Sequence, residues 1–465
     1  MLVGGKLFEK KNRIKVFNPY SGEEVGSVSN CTKKDVLFAV ETAKKAKIKA
    51  KNMTPYERYE ILFAIYEEIK RRKKEIAKLI TMESGKTIRE SRTEVERSLQ
   101  TILFSAEEAK RINGEFLSTD ITPLYTGKYA ITLREPVGVV AAICPFNFPL
   151  NLLLHKVGPA IAGGNTVVVK PATQTPLTAY ELGKLFIEVG APSGLINIVS
   201  GKGGVVGDAL VRSDVNMISF TGSVEVGKAI ASAAGMKKLS LELGGNGPLI
   251  IMDDADIEKA VNATVDGSFG IAGQRCTAVK RILLHNKVAE EFISKFVEVT
   301  KRLKVGNPMD EKTDVGPLID ENAAMEIERR VRDAIKLGAE LLVGGKRKKA
   351  LYWPTILDKT PRHASVVQTE TFGPVAPIIR FNTIKEAIKI ANETKYGLQA
   401  GIFTNNLDNI KYAMKNIETG AVIVNGPPGF RIESLPFGGV KDSGIGREGI
   451  KYAIQEMTEI KTVVF

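Results

Sequence analysis

The stretch TVVVKPATQTPLTAYELGKLFIEVGAPSGLINIVSG (166–201) decides the fold. An apolar run, TVVVKPA (166–172), reads as a strand; the segment 176–190 reads as a helix, and LINIVSG (195–201) reads as the next strand. Working outward, a helix over 204–212, a strand at MISFTGS (217–223) and a helix from Val224 continue the alternation. Strands alternating with helices of this length argue for a parallel, doubly wound sheet. Upstream, residues 32–50 and 55–80 carry apolar positions at helical spacing, and 81–98 leads into a further helix ending near Gly114. A β-rich stretch follows, TGKYAITLREPVGVVAAICPFNFP (126–149). Downstream, from Leu241 to about Ser443, a second α/β pattern runs, with PLIIMDD, RILLHN, AELLVGG, AGIFTN and AVIVNG reading as buried strands. The tail EMTEIKTVVF (456–465) is a β-run that must pair with a distant segment or another subunit.

A chain of 465 residues, 43% hydrophobic and 26% charged, is too long for one simple core, so two or three domains are expected. No stretch reaches the roughly 18 apolar residues of a membrane helix, and the N-terminus lacks a signal-peptide core, so a soluble cytoplasmic protein is expected. The net charge of +13 would suit a nucleic-acid partner if it clustered on one face. Instead Lys alternates with Glu along helical stretches such as YEEIKRRKKEIAKL (66–79), which reads as solvated helix surface. No nucleic-acid or membrane partner is expected. Three cysteines, Cys31, Cys144 and Cys276, make no disulfide framework and suit a reducing compartment. His155, His285 and His363 lie far apart, and no Cys/His cluster has zinc spacing, so no metal site is expected.

Five segments carry candidate chemistry. GQRCTA (273–278) holds Cys276 among Gly, Gln, Arg and Thr; it reads either as a buried structural cysteine or as an accessible thiolate in an electropositive setting. LELGGNGP (241–248) places Glu242 at a strand end before two glycines, either a solvated turn carboxylate or a partly desolvated base. PFNFP (145–149) holds Asn147 in a rigid turn, as a helix cap or as an oxyanion donor. SGKGGVVG (200–207) and TGSVEVG (221–227) each follow a strand and open a helix, an arrangement that offers backbone N–H groups to a phosphate. The spacing of Gly201, Gly203 and Gly207 is not the GxGxxG fingerprint.

Taken in order, PFNFP, KPATQTP, FTGSVEVG, LELGG, GQRCT, ETFGP and PFGGVKDSGIGRE resemble the aldehyde dehydrogenase superfamily over nearly the whole chain. The 34 positions separating Glu242 from Cys276 also match that family. The resemblance implies that Cys276 attacks the aldehyde carbon and that the oxyanion lies between the Asn147 amide and the Cys276 backbone N–H. Hydride loss to nicotinamide leaves a thioester, and Glu242 activates the water that releases the acid. It also implies NAD or NADP as cofactor. Lys170 would reach the adenosine ribose, and Gly201, Gly222, Ser223, Val224, Glu225, Val226 and Gly227 would belong to the phosphate-binding turns. Glu370 would bind the nicotinamide ribose, Phe372 would pack beside the ring, and PFGG (436–439) would close the substrate side. Thr173 stands where NAD-preferring members often carry Glu, which removes repulsion against a 2′-phosphate and implies tolerance of NADP.

For the substrate, the presence of Glu242 implies hydrolysis to a free acid rather than CoA acylation. Arg97 in EVERS, Arg275, and Arg431 in GFRIES fall where non-phosphorylating glyceraldehyde-3-phosphate dehydrogenases bind phosphate. The chain also resembles the archaeal lactaldehyde dehydrogenases, so a small 2-hydroxyaldehyde is the shared class; another short aldehyde, such as a semialdehyde, is the alternative. A catalytically silent structural protein would not need the intact Cys276, Glu242 and Asn147 set. The implied α/β architecture has three parts. A Rossmann-type coenzyme domain comprises 1–117 and 137–244, a catalytic domain 245–442, and a β oligomerisation extension 118–136 and 443–465. The extension would complete a sheet across a homodimer, with dimers paired into a homotetramer.

Overall fold

A computed structural model describes all 465 residues. Four helices, Lys33–Asn52, Pro55–Arg71, Lys73–Ser84 and Ile88–Ala109, precede the first long buried strand. Capping boxes start three of them; in the second and fourth, Thr54 and Thr87 accept from the N–H of Glu57 and Glu90, whose carboxylates accept in return. The periodic run 55–80 is not one helix. It breaks at Arg72, and its continuation stops at Gly85, which has φ +75°.

The alternation around 166–201 forms the centre of an eight-stranded sheet. Its five central strands are parallel, in the spatial order Ile196–Ile198, Thr166–Lys170, Val139–Ile143, Met217–Thr221, Lys238–Glu242. The chain therefore builds outward from Val139–Ile143 in one direction, then returns and builds in the other. At such a reversal the connections leave to opposite faces, and a crevice opens beyond the carboxyl ends of the strands. Helix Asn151–Ala162 is buried along its whole length against this sheet; among its polar members, Lys156 bonds to Ser219 and Glu448, and His155 contacts Arg431.

A second sheet has seven strands, in the order Glu340–Val343, Thr355–Asp358, Val375–Phe381, Arg281–His285, Pro248–Ile251, Gln399–Phe403, Ala421–Val424. Two of these, Thr355–Asp358 and Val375–Phe381, are almost wholly buried although their sequences do not stand out from neighbouring turns. Conversely, Glu340–Val343 and Ala421–Val424 are half-exposed edge strands rather than buried ones. A strand at the sheet edge keeps its apolar side chains while losing the neighbour that would cover them.

The β-rich stretch 126–149 divides between two sheets. Tyr129–Pro136 pairs antiparallel with both Phe116–Ser118 and Thr458–Val464, making a separate three-stranded sheet, whereas Val139–Ile143 enters the first sheet. The C-terminal segment divides as well. Gly444–Ile445 pairs with Lys238–Glu242 at the edge of the first sheet, and helix Ile450–Glu456 packs on helices Ile88–Ala109 and Asn151–Ala162. Only Thr458–Val464 joins the extension, so the stretch 443–456 departs from the extension expected of 443–465. The first sheet also recruits Leu2–Val3, which pairs antiparallel with Ile196–Ile198.

Gly138 is the swivel between the two sheets: its φ is +127°, and an added Cβ would lie 2.4 Å from Asn216 Oδ1. That Oδ1 accepts from the Val139 N–H at 2.9 Å, so it cannot simply turn away. Gly138→Ala should therefore lose about 1–3 kcal/mol of stability, measured as a lowered denaturation midpoint.

Candidate active site

The crevice at the strand reversal is a cavity of about 940 Å³. Each wall is the residue that follows a strand. Cys144, Phe146 and Asn147 follow Val139–Ile143, Thr173 follows Thr166–Lys170, Gly222 and Ser223 follow Met217–Thr221, and Leu243 and Gly244 follow Lys238–Glu242. The second sheet contributes Cys276 from the turn before Arg281–His285, with Glu370 and Phe372 from the turn before Val375–Phe381. One cavity thus joins residues more than 220 positions apart in sequence, from Cys144 to Phe372.

At one end lies the start of helix Val224–Ala233. Ser223 caps it, accepting from the Val226 N–H at 3.3 Å, so the remaining first-turn N–H groups face the cavity with the positive end of the helix dipole. Lys170 is buried; burial lowers its pKa, and its ammonium donates to the Pro171 carbonyl at 3.0 Å. Ser223, Glu225, Val226, Lys170 and Thr173 all line the cavity. Gly201, Val224 and Gly227 do not. Gly201 accepts from the Thr173 hydroxyl at 3.1 Å and packs on Val206, Val224 is buried in the core, and Gly227 packs on Leu243. An added Cβ on Gly227 would lie 2.4 Å from Leu243, so that glycine seats the helix on the sheet instead of admitting a ligand. Arg212, not singled out in the sequence, also reaches the cavity while its Nε donates to Asp208 at 2.8 Å.

At the other end stands Cys276, partly accessible, in contrast to the buried Cys31 and Cys144. Burial of its sulfur pushes the pKa up to about 12, with the carboxylate of Glu370 adding to the rise. The thiol is thus protonated at rest and needs a base. Asn147 is buried; its amide donates to the Gln274 carbonyl at 2.9 Å, which ties PFNFP to the segment carrying Cys276, while its Oδ1 has no partner.

Glu242 is fully enclosed, and neither carboxylate oxygen has a hydrogen-bond partner. Burial raises its pKa well above the carboxylate range, and the negative charge of Glu448 raises it further. Glu448 is buried too, but Lys156 Nζ donates to it at 3.0 Å and Arg431 at 2.9 Å. Those two cations outweigh the burial and hold it ionised. Two buried carboxylates therefore take opposite states, set by which one owns the cations. Gly438 of PFGG approaches so closely that an added Cβ would lie 2.8 Å from Glu242 Oε1. Glu448 and Lys156 escaped the sequence reading; the signal was a lysine within the otherwise apolar run LLLHKVGPAIA.

The three arginines do not meet in one cavity. Arg97 and Arg275 line a separate cleft of about 490 Å³ between helices Ile88–Ala109 and Ile257–Phe269, whereas Arg431 does not line it. Each arginine also has a protein partner. Arg97 donates to the buried Glu433 at 2.9 and 3.1 Å, and Arg275 donates to the carbonyls of Asp266 and Gly267. Arg431 holds Glu448, stacks 3.8 Å over Phe437, and contacts the buried His155, whose pKa burial lowers. No cluster of His, Cys, Asp or Glu could hold a metal ion, and no helix is long and apolar enough to cross a membrane.

A doubly wound sheet with a helix start at its crevice, and an accessible cysteine on the same cavity, suits a nucleotide-binding enzyme with a thiol nucleophile. Residues 8–463 match the model of the aldehyde dehydrogenase family, and the chain belongs to that family. It is 44% identical to a lactaldehyde dehydrogenase of Methanococcus aeolicus over 100% of this chain and 99% of that one. It is 45% identical to a 3-sulfolactaldehyde dehydrogenase of Priestia aryabhattai, over 100% and 97%. Among solved structures, it superposes with a TM-score of 0.95 on glyceraldehyde-3-phosphate dehydrogenase from Methanocaldococcus jannaschii complexed with NADP. That match has 46% identity and covers 98% of this chain and 100% of the other. The chain is an NAD(P)-dependent aldehyde dehydrogenase.

A carboxyl whose pKa is raised on folding costs stability above its unfolded pKa of about 4.3, because the folded state must then ionise it or keep its proton. Glu242→Gln removes that cost. The variant should have a higher thermal midpoint than wild type at pH 8, with the gap closing as the pH falls towards 5, read by scanning calorimetry at several pH values.

Proposed function

We propose that the protein oxidises a short 2-hydroxyaldehyde, with lactaldehyde favoured, to its carboxylate through Cys276, Asn147 and Glu242. The observation that carries this reading is the single cavity holding Cys276 and Asn147 at one end and the Ser223 helix start at the other, with the unpartnered Glu242 enclosed beside it. Bound NAD(P) supplies the hydride acceptor. Cys276 supplies the sulfur that bonds to the aldehyde carbon, and its proton passes towards Glu242, whose raised proton affinity makes its ionised form a strong base. The Asn147 amide, fixed by its bond to Gln274, presents its second N–H to the oxygen that becomes negative. After oxidation the carbon is held as a thioester. Glu242 passes the thiol's proton on to solvent, then takes a proton from water as the water attacks, and the thiolate leaves. PFGG screens this step from bulk solvent.

For the coenzyme, Thr173 puts a neutral hydroxyl where a carboxylate would repel a 2′-phosphate, and Lys170 and Arg212 stand at the same end of the cavity. This supports use of NADP as well as NAD. For the substrate, Arg97 and Arg431 are already matched by the buried Glu433 and Glu448. Recruiting Arg97 to an anionic tail would strip buried Glu433 of its partner, at a cost of several kcal/mol, and recruiting Arg431 would leave Glu448 with Lys156 alone, so a neutral short chain is favoured. The shared cleft of Arg97 and Arg275, together with the glyceraldehyde-3-phosphate dehydrogenase neighbour, supports the phosphorylated aldehyde as the second reading. The extension supports a homodimer or homotetramer: Ile121 and Leu124 are each 84% exposed and Phe465 65%, more apolar surface than one small sheet of a monomer leaves bare.

Reduced coenzyme formation followed at 340 nm tests the reaction. L-Lactaldehyde should give the higher kcat/KM, glyceraldehyde-3-phosphate the lower, and Cys276→Ala should lose about 10³-fold or more. Preference for the phosphorylated aldehyde would overturn the substrate choice, and an active Cys276→Ala would overturn the mechanism. Glu242→Gln should lose the fast burst of reduced coenzyme as well as steady-state turnover, because it removes the base for the Cys276 thiol and for the water. Light scattering should find a dimer or tetramer; a monomer at micromolar concentration would refute the assembly.

A further inference from the structure

The turn that delivers Cys276 is strained. Ile271, Ala272 and Gly273 have φ of 54°, 51° and 71°, three consecutive left-handed residues, the first of them β-branched. Such a run costs energy at every non-glycine position and persists only where its surroundings over-determine it. Three side chains do so. Glu90, already capping helix Ile88–Ala109, accepts from the Ile271 N–H at 2.5 Å, and Gln274 donates to the Ile271 carbonyl at 3.2 Å. The third is Lys280.

Lys280 is 1% exposed, and no carboxylate accepts a hydrogen bond from its ammonium. Nζ donates to the Gly273 carbonyl at 2.6 Å and to the Thr371 carbonyl at 2.6 Å, and lies 5.2 Å from the centre of the Phe372 ring. Gly273 ends the left-handed run three residues before Cys276, and Thr371 lies between Glu370 and Phe372. The two turns already press together, since a Cβ on Gly273 would lie 2.1 Å from the Gly373 carbonyl oxygen. From the far side, Arg330 donates to the Glu370 carbonyl at 2.9 Å, which fixes the outer edge of the second turn. Burying an ammonium is costly unless hydrogen bonds or a counter-charge offset the lost hydration. Here it makes two short charge-assisted bonds to carbonyls on different loops, which no neutral side chain of that length matches.

We propose that Lys280 is a positioning residue that links the nucleophile turn to the Glu370–Phe372 turn, so that occupancy of the coenzyme end of the cavity is transmitted to the reactivity of Cys276. The proposal rests on the assignment of Cys276 and of the Glu370–Phe372 turn given above. With the link intact, a ligand that orders Glu370 and Phe372 also moves or stiffens Gly273, and with it the sulfur. Without it, the two turns respond separately.

The test uses the full chain and the rate of Cys276 alkylation by iodoacetamide, with and without saturating NADP, in wild type and Lys280→Met. NADP should change the wild-type rate about fivefold or more. In Lys280→Met it should change the rate less than about twofold, although NADPH fluorescence shows binding of unchanged affinity. The dehydrogenase kcat should fall about 10²-fold, while coenzyme-independent hydrolysis of 4-nitrophenyl acetate, which needs only the nucleophile, should stay within about threefold. An unchanged NADP effect in the variant, no NADP effect in wild type, or equal losses of both activities would overturn the link. If Lys280→Met does not fold, Lys280→Gln, whose shorter amide reaches one carbonyl at most, should show the same loss of the NADP effect. Failure of the functional reading is separately visible, as a wild type that oxidises no aldehyde or a Cys276→Ala protein that still does.

Discussion

The reversal of strand order at Val139–Ile143 is the constraint on which the rest depends. Because the chain adds strands first on one side of Val139–Ile143 and later on the other, the loops after its neighbours must diverge, and the space between them cannot be filled by the crossovers. Asn147, Lys170, Ser223 and Leu243 all border that space for this one reason. Gly138 and Asn216 turn the chain out of the extension and into Val139–Ile143. Helix Asn151–Ala162 packs on Val139–Ile143 and Thr166–Lys170. That brings Lys156, 1% exposed at its side chain, within reach of Glu448.

The second consequence is electrostatic. Glu242, Glu448 and Lys156 are buried beside the crevice with Arg431 against them, where each charge needs a partner. The cations are committed to Glu448, and Glu242 is left with none. The unequal division keeps one carboxylate charged and raises the proton affinity of the other, which suits a base that works in a closed site. It also bears on the substrate side, because Arg431 cannot both neutralise Glu448 and serve an incoming anion without cost.

The third consequence lies at the meeting of the two sheets. Cys276 belongs to the second sheet and the crevice to the first, so the distance between sulfur and coenzyme end is set by loops rather than by a continuous ladder. The left-handed residues before Cys276, the close packing of Gly273 on Gly373 and the two bonds of Lys280 compensate for that lack. Glu90 adds an attachment from the helical layer, so the nucleophile turn is held from three directions.

Local sequence determined the alternation of strands and helices, the capped helix starts, and the residues with reactive side chains in ordered motifs. These depend on short-range patterns: spacing of apolar residues, glycine and proline at turns, and a thiol or carboxylate set among small polar neighbours. The sequence did not reveal that Thr355–Asp358 and Val375–Phe381 are core strands, that Gly444–Ile445 joins the first sheet, or that Gly201, Val224 and Gly227 serve packing and not the cavity. Nor did it reveal that Arg97, Arg275 and Arg431 each already have partners, or that Glu448 and Lys280 govern residues far from them in the chain. Burial, pairing and pKa are properties of what surrounds a side chain. Those surroundings are assembled from segments hundreds of residues apart, so only the tertiary structure decided them.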